Sequence, residues 1–304
     1  VETQQPEPAL AAYKQAVALA PEAVQPQAKL AELYITQNKF DAAAQSADAL
    51  LKRPDGSIAG QYIKGRLALA RGQSSEASTI LQGGVKAAPE MAAAHFFLGL
   101  AQERSQQPQL AMASFMEAVR LAPESVQARL AIVQLHVQSQ AFDQAIAGGQ
   151  QFLAQQPQHG AMNLLLGQAY LGRGDFPRAL TAFKSAVQKA PQDADGYYGL
   201  GLAHRRLQQN QPALEAFGKV LALKPAASEA LTQVLEIWLA QGQPSKAEET
   251  LRHVVELQPH DVALRLQLAH FYVRQNRYKD AEAAYQQAVA VAPQDTRTYL
   301  ALGD

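Results

Sequence analysis

Seven prolines, Pro89, Pro123, Pro157, Pro191, Pro225, Pro259 and Pro293, recur at a constant spacing of 34 residues, and Pro21 lies on the same lattice two periods before Pro89. A fixed period over a whole chain constrains the fold more than any local motif. Each period must be one supersecondary unit that cannot bury its apolar face alone and has to stack on its neighbours. Length then adds units instead of enlarging a single core, so 304 residues do not require two globular domains.

With the proline at position 32, the whole units are 24–57, 58–91, 92–125, 126–159, 160–193, 194–227, 228–261 and 262–295, with partial units over 1–23 and 296–304. Together they predict one array over 1–304. Every unit carries two amphipathic stretches joined by a short turn. In 160–193 the first stretch, about 161–173, places Leu166, Gly167 and Tyr170 on one helical face. Gly174 is suited to stop that helix, Asp175 to cap the next, and Pro177 to sit in its first turn. The second stretch, about 177–189, sets Ala179, Leu180, Phe183, Ala186 and Val187 along one stripe before Pro191 closes it. The reading is all-α.

This skeleton resembles the tetratricopeptide repeat (TPR), whose signature places a large residue, Leu-Gly, Tyr, then Ala, an aromatic residue and Pro at set offsets. Unit 160–193 carries them as Asn163, Leu166, Gly167, Tyr170, Ala179, Phe183 and Pro191. The next unit has Tyr197, Leu200, Gly201, Ala213, Phe217 and Pro225, with His204 at the tyrosine position. Unit 262–295 matches with Leu268, Ala269, Tyr272, Ala281, Tyr285 and Pro293, and unit 92–125 with Leu98, Gly99, Ala111, Phe115, Ala118 and Pro123. The resemblance covers essentially the whole chain and is of the bacterial multi-TPR type. It implies a right-handed α-solenoid, the TPR superhelix, whose first helices line a concave inner face. Small residues at the Gly167 and Ala179 positions are expected to let paired helices approach closely. The Phe183 and Tyr170 positions fill the space to the next unit, where burying a ring contributes roughly 1.5–3 kcal/mol.

Composition removes several function classes. Lys+Arg and Asp+Glu each total 27, so no global field draws nucleic acid or an anionic membrane. No apolar run approaches the roughly 18 residues of a membrane span, which argues against direct membrane insertion. The absence of cysteine rules out disulfides, thiol catalysis and thiolate-bound zinc. His95, His136 and His204 occupy skeleton positions and are expected in or beside the core. His253, His260 and Asp261 do not assemble a metal set. No Gly-rich phosphate loop follows a strand and no Ser/His/Asp set stands out. The expectation is therefore no catalytic residue, no cofactor, no metal and no enzyme activity.

Positions 2, 5, 9 and 12 of a unit form one stripe of the first helix, which the TPR resemblance turns toward the concave groove. Position 5 supplies the ladder Tyr62, Phe96, Leu130, Leu164, Tyr198 and Leu266. Position 12 supplies Leu69, Val137, Leu171 and Arg205, and position 9 supplies Arg66, Leu100, Gln134, Gln168, Leu202 and His270. An apolar ladder along a groove marks a surface for a protein or peptide segment. Arg104, Arg205 and Arg206 are expected to make its middle mildly basic, and Glu229 and Glu236 to make unit 228–261 acidic. The resemblance does not extend to two sub-types. Co-chaperones that clamp a terminal carboxylate use Lys and Asn in the groove, and here position 5 has no Lys and position 9 no Asn. The Asn ladder of protein O-GlcNAc transferases is also missing, since position 6 reads Lys29, Ile63, Phe97, Ala131, Leu165, Gly199, Gln233 and Gln267.

The expected function is a non-catalytic protein-binding scaffold. Two other readings are a self-assembling, homo-oligomeric structural array and the regulatory arm of a larger protein. The Ala/Gln-rich style resembles bacterial envelope TPR proteins serving exopolysaccharide export or protein sorting, which leans toward the periplasm. The lattice also runs off both ends. Residues 1–5 read as the tail of a helix, and Tyr299, Leu302 and Gly303 open a unit that stops at Asp304, so a piece of a longer protein is expected.

Two units depart from the pattern. Unit 58–91 follows Pro54-Asp55-Gly56, with proline one place early, and has Gly83-Gly84 inside its second helix; unit 126–159 has Gly148-Gly149, the latter at the aromatic position. Glycine inside a helix costs about 0.8–1 kcal/mol relative to Ala. Amide exchange should therefore be faster over 80–86 and 146–151 than over 180–187, and equal protection would refute this.

Overall fold

The computed structural model describes residues 6–303, which form eighteen α-helices and no strand. The helix tail expected over 1–5, and Asp304, lie outside the described residues. After α1 (Pro6–Leu19) come eight pairs. They are α2 (Val24–Thr36) and α3 (Phe40–Leu51), α4 (Ser57–Ala70) and α5 (Ser74–Ala87), α6 (Ala92–Arg104) and α7 (Pro108–Leu121), α8 (Val126–Gln138) and α9 (Phe142–Leu153). Then follow α10 (Gly160–Arg173) and α11 (Phe176–Lys189), α12 (Ala194–Arg206) and α13 (Asn210–Leu223), α14 (Ser228–Ala240) and α15 (Pro244–Leu257), α16 (Val262–Arg274) and α17 (Tyr278–Val291), before α18 (Thr296–Gly303). The chain divides into two compact units, Val1–Ser139 and Gln140–Asp304, with the boundary in the turn between α8 and α9. Within each unit consecutive helices pack on one another, and first helices of adjacent repeats also meet, as α2 with α4, α4 with α6, and α10 with α12.

The turn inside each repeat has one backbone feature that recurs eight times. One residue of it has a left-handed backbone in every pair: Asn38, Gly72, Gln106, Gln140, Gly174, Gln208, Gly242 and Asn276, with φ between 56° and 85°. In seven of the pairs, all but α8 and α9, the residue after it donates its N–H back to the last turn of the first helix, as Asp175 to the Tyr170 carbonyl at 2.9 Å and Arg277 to Tyr272 at 2.9 Å. This is the hydrogen bond of a Schellman cap, and it satisfies a carbonyl the helix would otherwise leave open. In the turn at Gly174, Asp175 accepts from the Arg178 N–H at 3.3 Å and Pro177 sits in the first turn of α11, which fixes where the second helix starts.

Pairs close through a size match. An added Cβ on Gly167 would lie 2.6 Å from the Phe183 ring, on Gly99 2.5 Å from Phe115, and on Gly201 2.5 Å from Phe217. The ring is also pressed from the next repeat, because a Cβ on Gly199 would lie 2.3 Å from Phe183. These phenylalanines are at most 1% exposed. Tyr170 and Tyr272 are buried with their hydroxyls tied to the preceding second helix, accepting from Gln150 Nε2 at 2.7 Å and from Arg252 Nε at 2.8 Å.

The lattice prolines gain a second role. In four repeats the residue at position 4 donates to the carbonyl of the preceding proline: His95 Nε2 to Pro89 at 2.9 Å, Asn163 Nδ2 to Pro157 at 3.3 Å, Arg265 Nε to Pro259 at 3.1 Å, and Tyr299 Oη to Pro293 at 3.2 Å. Asn163, which the signature offset treats as a packing residue, is thus a buried polar latch. The early proline near 54 is bridged differently. Arg53 reaches back to the Pro21 and Glu22 carbonyls while holding Asp55 at 3.0 Å.

Both glycine pairs lie inside unbroken helices, α5 and α9. Gly149 has a packing reason: a Cβ there would lie 2.7 Å from Leu166 of the next repeat, which occupies the space the missing ring leaves. Gly83 has none, since nothing lies within 4 Å of an added Cβ. Gly83→Ala should therefore stabilise by about 0.8–1 kcal/mol, whereas Gly167→Ala should cost roughly 1–3 kcal/mol by overpacking. Gln208→Gly should stabilise by about 1 kcal/mol through relief of its left-handed backbone. Urea unfolding midpoints compare all three.

Candidate functional site

The expected site residues lie on the first helices of the repeats, and the structure sorts them by exposure. In the first unit Tyr62 and Leu69 are 6% and 4% exposed, so the two rungs expected at the surface belong to the packing between repeats. Phe96, Leu100, Leu130 and Val137 are half-buried, and Gln134 is exposed. In the second unit Leu164, Gln168, Leu171, Tyr198, Leu202, Arg205 and Leu266 are half-buried and His270 is exposed. Leu239 and Val273, on the same stripe, are 39% and 38% exposed. A continuous ladder of equal rungs is therefore absent. Apolar edges emerge where the neighbouring first helix does not cover them.

In the first unit the rungs are bound into an aromatic cluster. Phe97 meets Tyr62 edge-on at 5.8 Å and Phe96 at 5.3 Å, and Phe96 leans on Phe115 at 5.8 Å. Arg66 lies over the Phe97 ring at 4.4 Å and pairs with Glu32 of the preceding repeat at 3.2 Å. A guanidinium held between a ring face and a carboxylate is a favourable, partly desolvated arrangement. Arg104 donates from Nη1 to the Leu69 carbonyl at 3.1 Å, covering the C-terminal end of α4. Phe97 organises this cluster, yet its position drew attention only for lacking asparagine; its aromatic neighbours Phe96 and Phe115 were the available signal.

In the second unit the charge expectation changes. Arg205 pairs with Glu236 at 2.8 Å and donates to Gln233. The middle of this face is therefore locally neutralised, and Glu236 is not a free acid. Leu202, Arg205 and Gln233 line a polar cleft of about 420 Å³ between α12 and α14. Tyr198 leans on Phe217 with the rings tilted at 5.7 Å, and His270 meets Tyr285 edge-on at 5.7 Å. The remaining histidines have local duties. His204 Nδ1 lies 2.7 Å from Gln209 Oε1, and His159 caps α10 by accepting from the Met162 N–H at 3.2 Å. Burial lowers the His136 pKa. Asp261 caps α16 by accepting from the Leu264 N–H at 3.1 Å. Among the described residues no group of three or more His, Cys, Asp or Glu could hold a metal ion, and no helix is long and apolar enough to cross a membrane.

Burial pushes the Tyr62 phenol from 10.0 up to about 12, with Arg66 opposing and Glu32 adding. The folded pKa lies above the unfolded one, so this stabilisation is complete below pH 10 and is lost as pH rises through 12. Folding stability should fall by about 1.4 kcal/mol per pH unit in that window from this residue. Tyr62→Phe should remove that component, measured by urea unfolding across the range.

Family models for the tetratricopeptide repeat match residues 1–58, 62–126, 130–194, 164–228 and 198–262, and a second model of the same repeat matches 238–303. No curated protein sequence matches. Among solved structures, a chain of the Cut9–Hcn1 hetero-tetramer of APC/C superposes with a TM-score of 0.63 at 15% identity, over 97% of this chain. The present chain spans 51% of that one's length. A tetratricopeptide repeat protein from Parabacteroides merdae gives 0.56 at 14% identity, over 85% of this chain and 98% of its own. MamA from Desulfovibrio magneticus gives 0.52 at 21% identity, over 56% and 96%. At these identities the structures establish the fold alone; the tetratricopeptide repeat matches are what suggest a protein–protein interaction scaffold. The consecutive helix-turn-helix repeats, the glycine–aromatic closures and the family matches along the whole chain make this a multi-repeat member of the tetratricopeptide repeat family.

Proposed function

We propose that the chain is a non-catalytic scaffold that holds an extended or helical segment of a partner protein on the first-helix face of its repeats. The observation that carries this reading is the pattern of exposure on that face. Leu164, Leu171, Tyr198 and Leu266 keep apolar edges in solvent, and Leu239 and Val273 are more than a third exposed. Tyr198 and Leu266 pack on the core through part of their surface, and the remainder of these apolar edges is left open to solvent. Apolar edges interleaved with polar groups such as Gln168 and His270 suit a segment with a few large anchors separated by polar residues. The ion pairs Glu32–Arg66 and Arg205–Glu236 fix neighbouring first helices, which lowers the ordering cost of binding on their surface.

The test is selection from a random peptide library displayed on phage. Phe96→Ser, Leu130→Ser and Leu164→Ser together should reduce recovered binders by about tenfold or more, each lost anchor being worth about 1–2 kcal/mol, while far-ultraviolet circular dichroism keeps its helical signal. Unchanged recovery by the triple variant refutes the proposal.

A further inference from the structure

A cleft of about 680 Å³ opens between the start of α12, the end of α13 and the first turn of α14. Its origin is legible in the linker. Glu90-Met91, Glu124-Ser125, Gln158-His159, Gln192-Asp193, His260-Asp261 and Gln294-Asp295 follow the other six prolines of the 34-residue series, but Ala226-Ala227 follow Pro225. Ala227 cannot cap α14 with a side chain, and the two methyl groups leave room that larger residues would occupy. Ala194, Val220, Pro225 and Ala230 make the lining apolar, and Tyr198 forms one wall, its ring braced by Phe217.

The rim carries charge of one unbalanced sign. Lys224 Nζ lies 3.1 Å from Asp195, so those two neutralise each other. Glu229 is exposed and takes part in no ion pair among the described residues; its carboxylate accepts only from the adjacent Ser228 hydroxyl at 3.3 Å. Tyr198 registers that carboxylate, its pKa being raised by burial and then by Glu229, against Arg205. A concave apolar space of this size accepts a large side chain, and a lone carboxylate at its lip favours a cation and rejects an anion.

We propose that the Tyr198 cleft takes one large apolar side chain of a partner segment whose neighbouring residue is Lys or Arg, the cation meeting Glu229. This rests on the first-helix face being a peptide-binding surface and adds the residue class that one position of it selects.

The test titrates the full chain with fluorescein-labelled peptides, a Gly/Ser host carrying Phe-Lys, Phe-Glu or Ala-Lys at its centre, read by anisotropy. Phe-Lys should bind, with Phe-Glu and Ala-Lys about tenfold weaker or worse. Glu229→Gln should erase the difference between Phe-Lys and Phe-Glu, and Glu229→Lys should reverse it. Glu229 is exposed in a first turn, and circular dichroism checks that both variants fold. Equal binding of Phe-Lys and Phe-Glu, an order unmoved by Glu229→Lys, or no binding of any peptide overturns the cleft. If binding then still falls with Leu164→Ser, outside the cleft, the broader reading survives alone. Light scattering on the free chain covers the other occupant: association that Glu229→Lys abolishes assigns the cleft to a second copy and likewise overturns the proposal.

Discussion

The contact on which the rest depends is an aromatic ring lying where a side chain is missing. Phe183 fits because Gly167 of its own repeat and Gly199 of the next present bare backbone to it. The ring thereby closes one helix pair and joins it to its neighbour in a single step. Interiors pack at crystal-like density, so neither partner can change size without the other. The chain observes this locally. Four glycines, Gly65, Gly99, Gly167 and Gly201, each face a large side chain of the second helix of their own pair: Leu81, Phe115, Phe183 and Phe217. What reads as a defect in the signature at Gly149 is accommodated by Leu166 filling the vacated space.

Around that contact the polar groups settle into repeated local duties. The left-handed turn residue lets the chain reverse and still cap the first helix. The latch from position 4 satisfies the carbonyl of the proline that ends the preceding repeat. Buried backbone carbonyls need such partners, and four residue types, His, Asn, Arg and Tyr, meet the same need. Each of these four has a donor of the right reach, so the hydrogen bond is kept across different side chains, whereas Leu231 at the same position has no donor to make it.

The same economy shapes the candidate binding face. Charges that would otherwise colour it are engaged across repeats, Arg66 with Glu32 and Arg205 with Glu236. Surface pairs of this kind contribute little stability; their consequence here is electrostatic, since they neutralise Arg66 and Arg205, while Glu229 takes part in no ion pair among the described residues. That residue stands at a cleft lined by Ala226 and Ala227, a linker of two alanines where the other prolines of the 34-residue series are followed by larger residues. Binding selectivity on a repetitive scaffold can therefore arise where the repeat is least regular.

The period of the prolines, the paired amphipathic stripes and the Leu166-Gly167, Tyr170 and Phe183 offsets were enough to determine an all-α stack of 34-residue helix pairs. Periodicity and local sterics act within one or two repeats, and sequence records them directly. The sequence did not reveal that Gln106, Gln140 and Gln208 would take left-handed backbones, because glutamine has no preference for them; the conformation is imposed by the two helices on either side. Nor could it separate Tyr62 and Leu69, which are buried, from Leu239 and Val273, which are exposed, although all four lie on the same helical stripe. Their fate depends on how closely the neighbouring first helix approaches, and that distance is set by packing summed over several side chains. Only the tertiary structure decided it, just as it decided which charges would find one another.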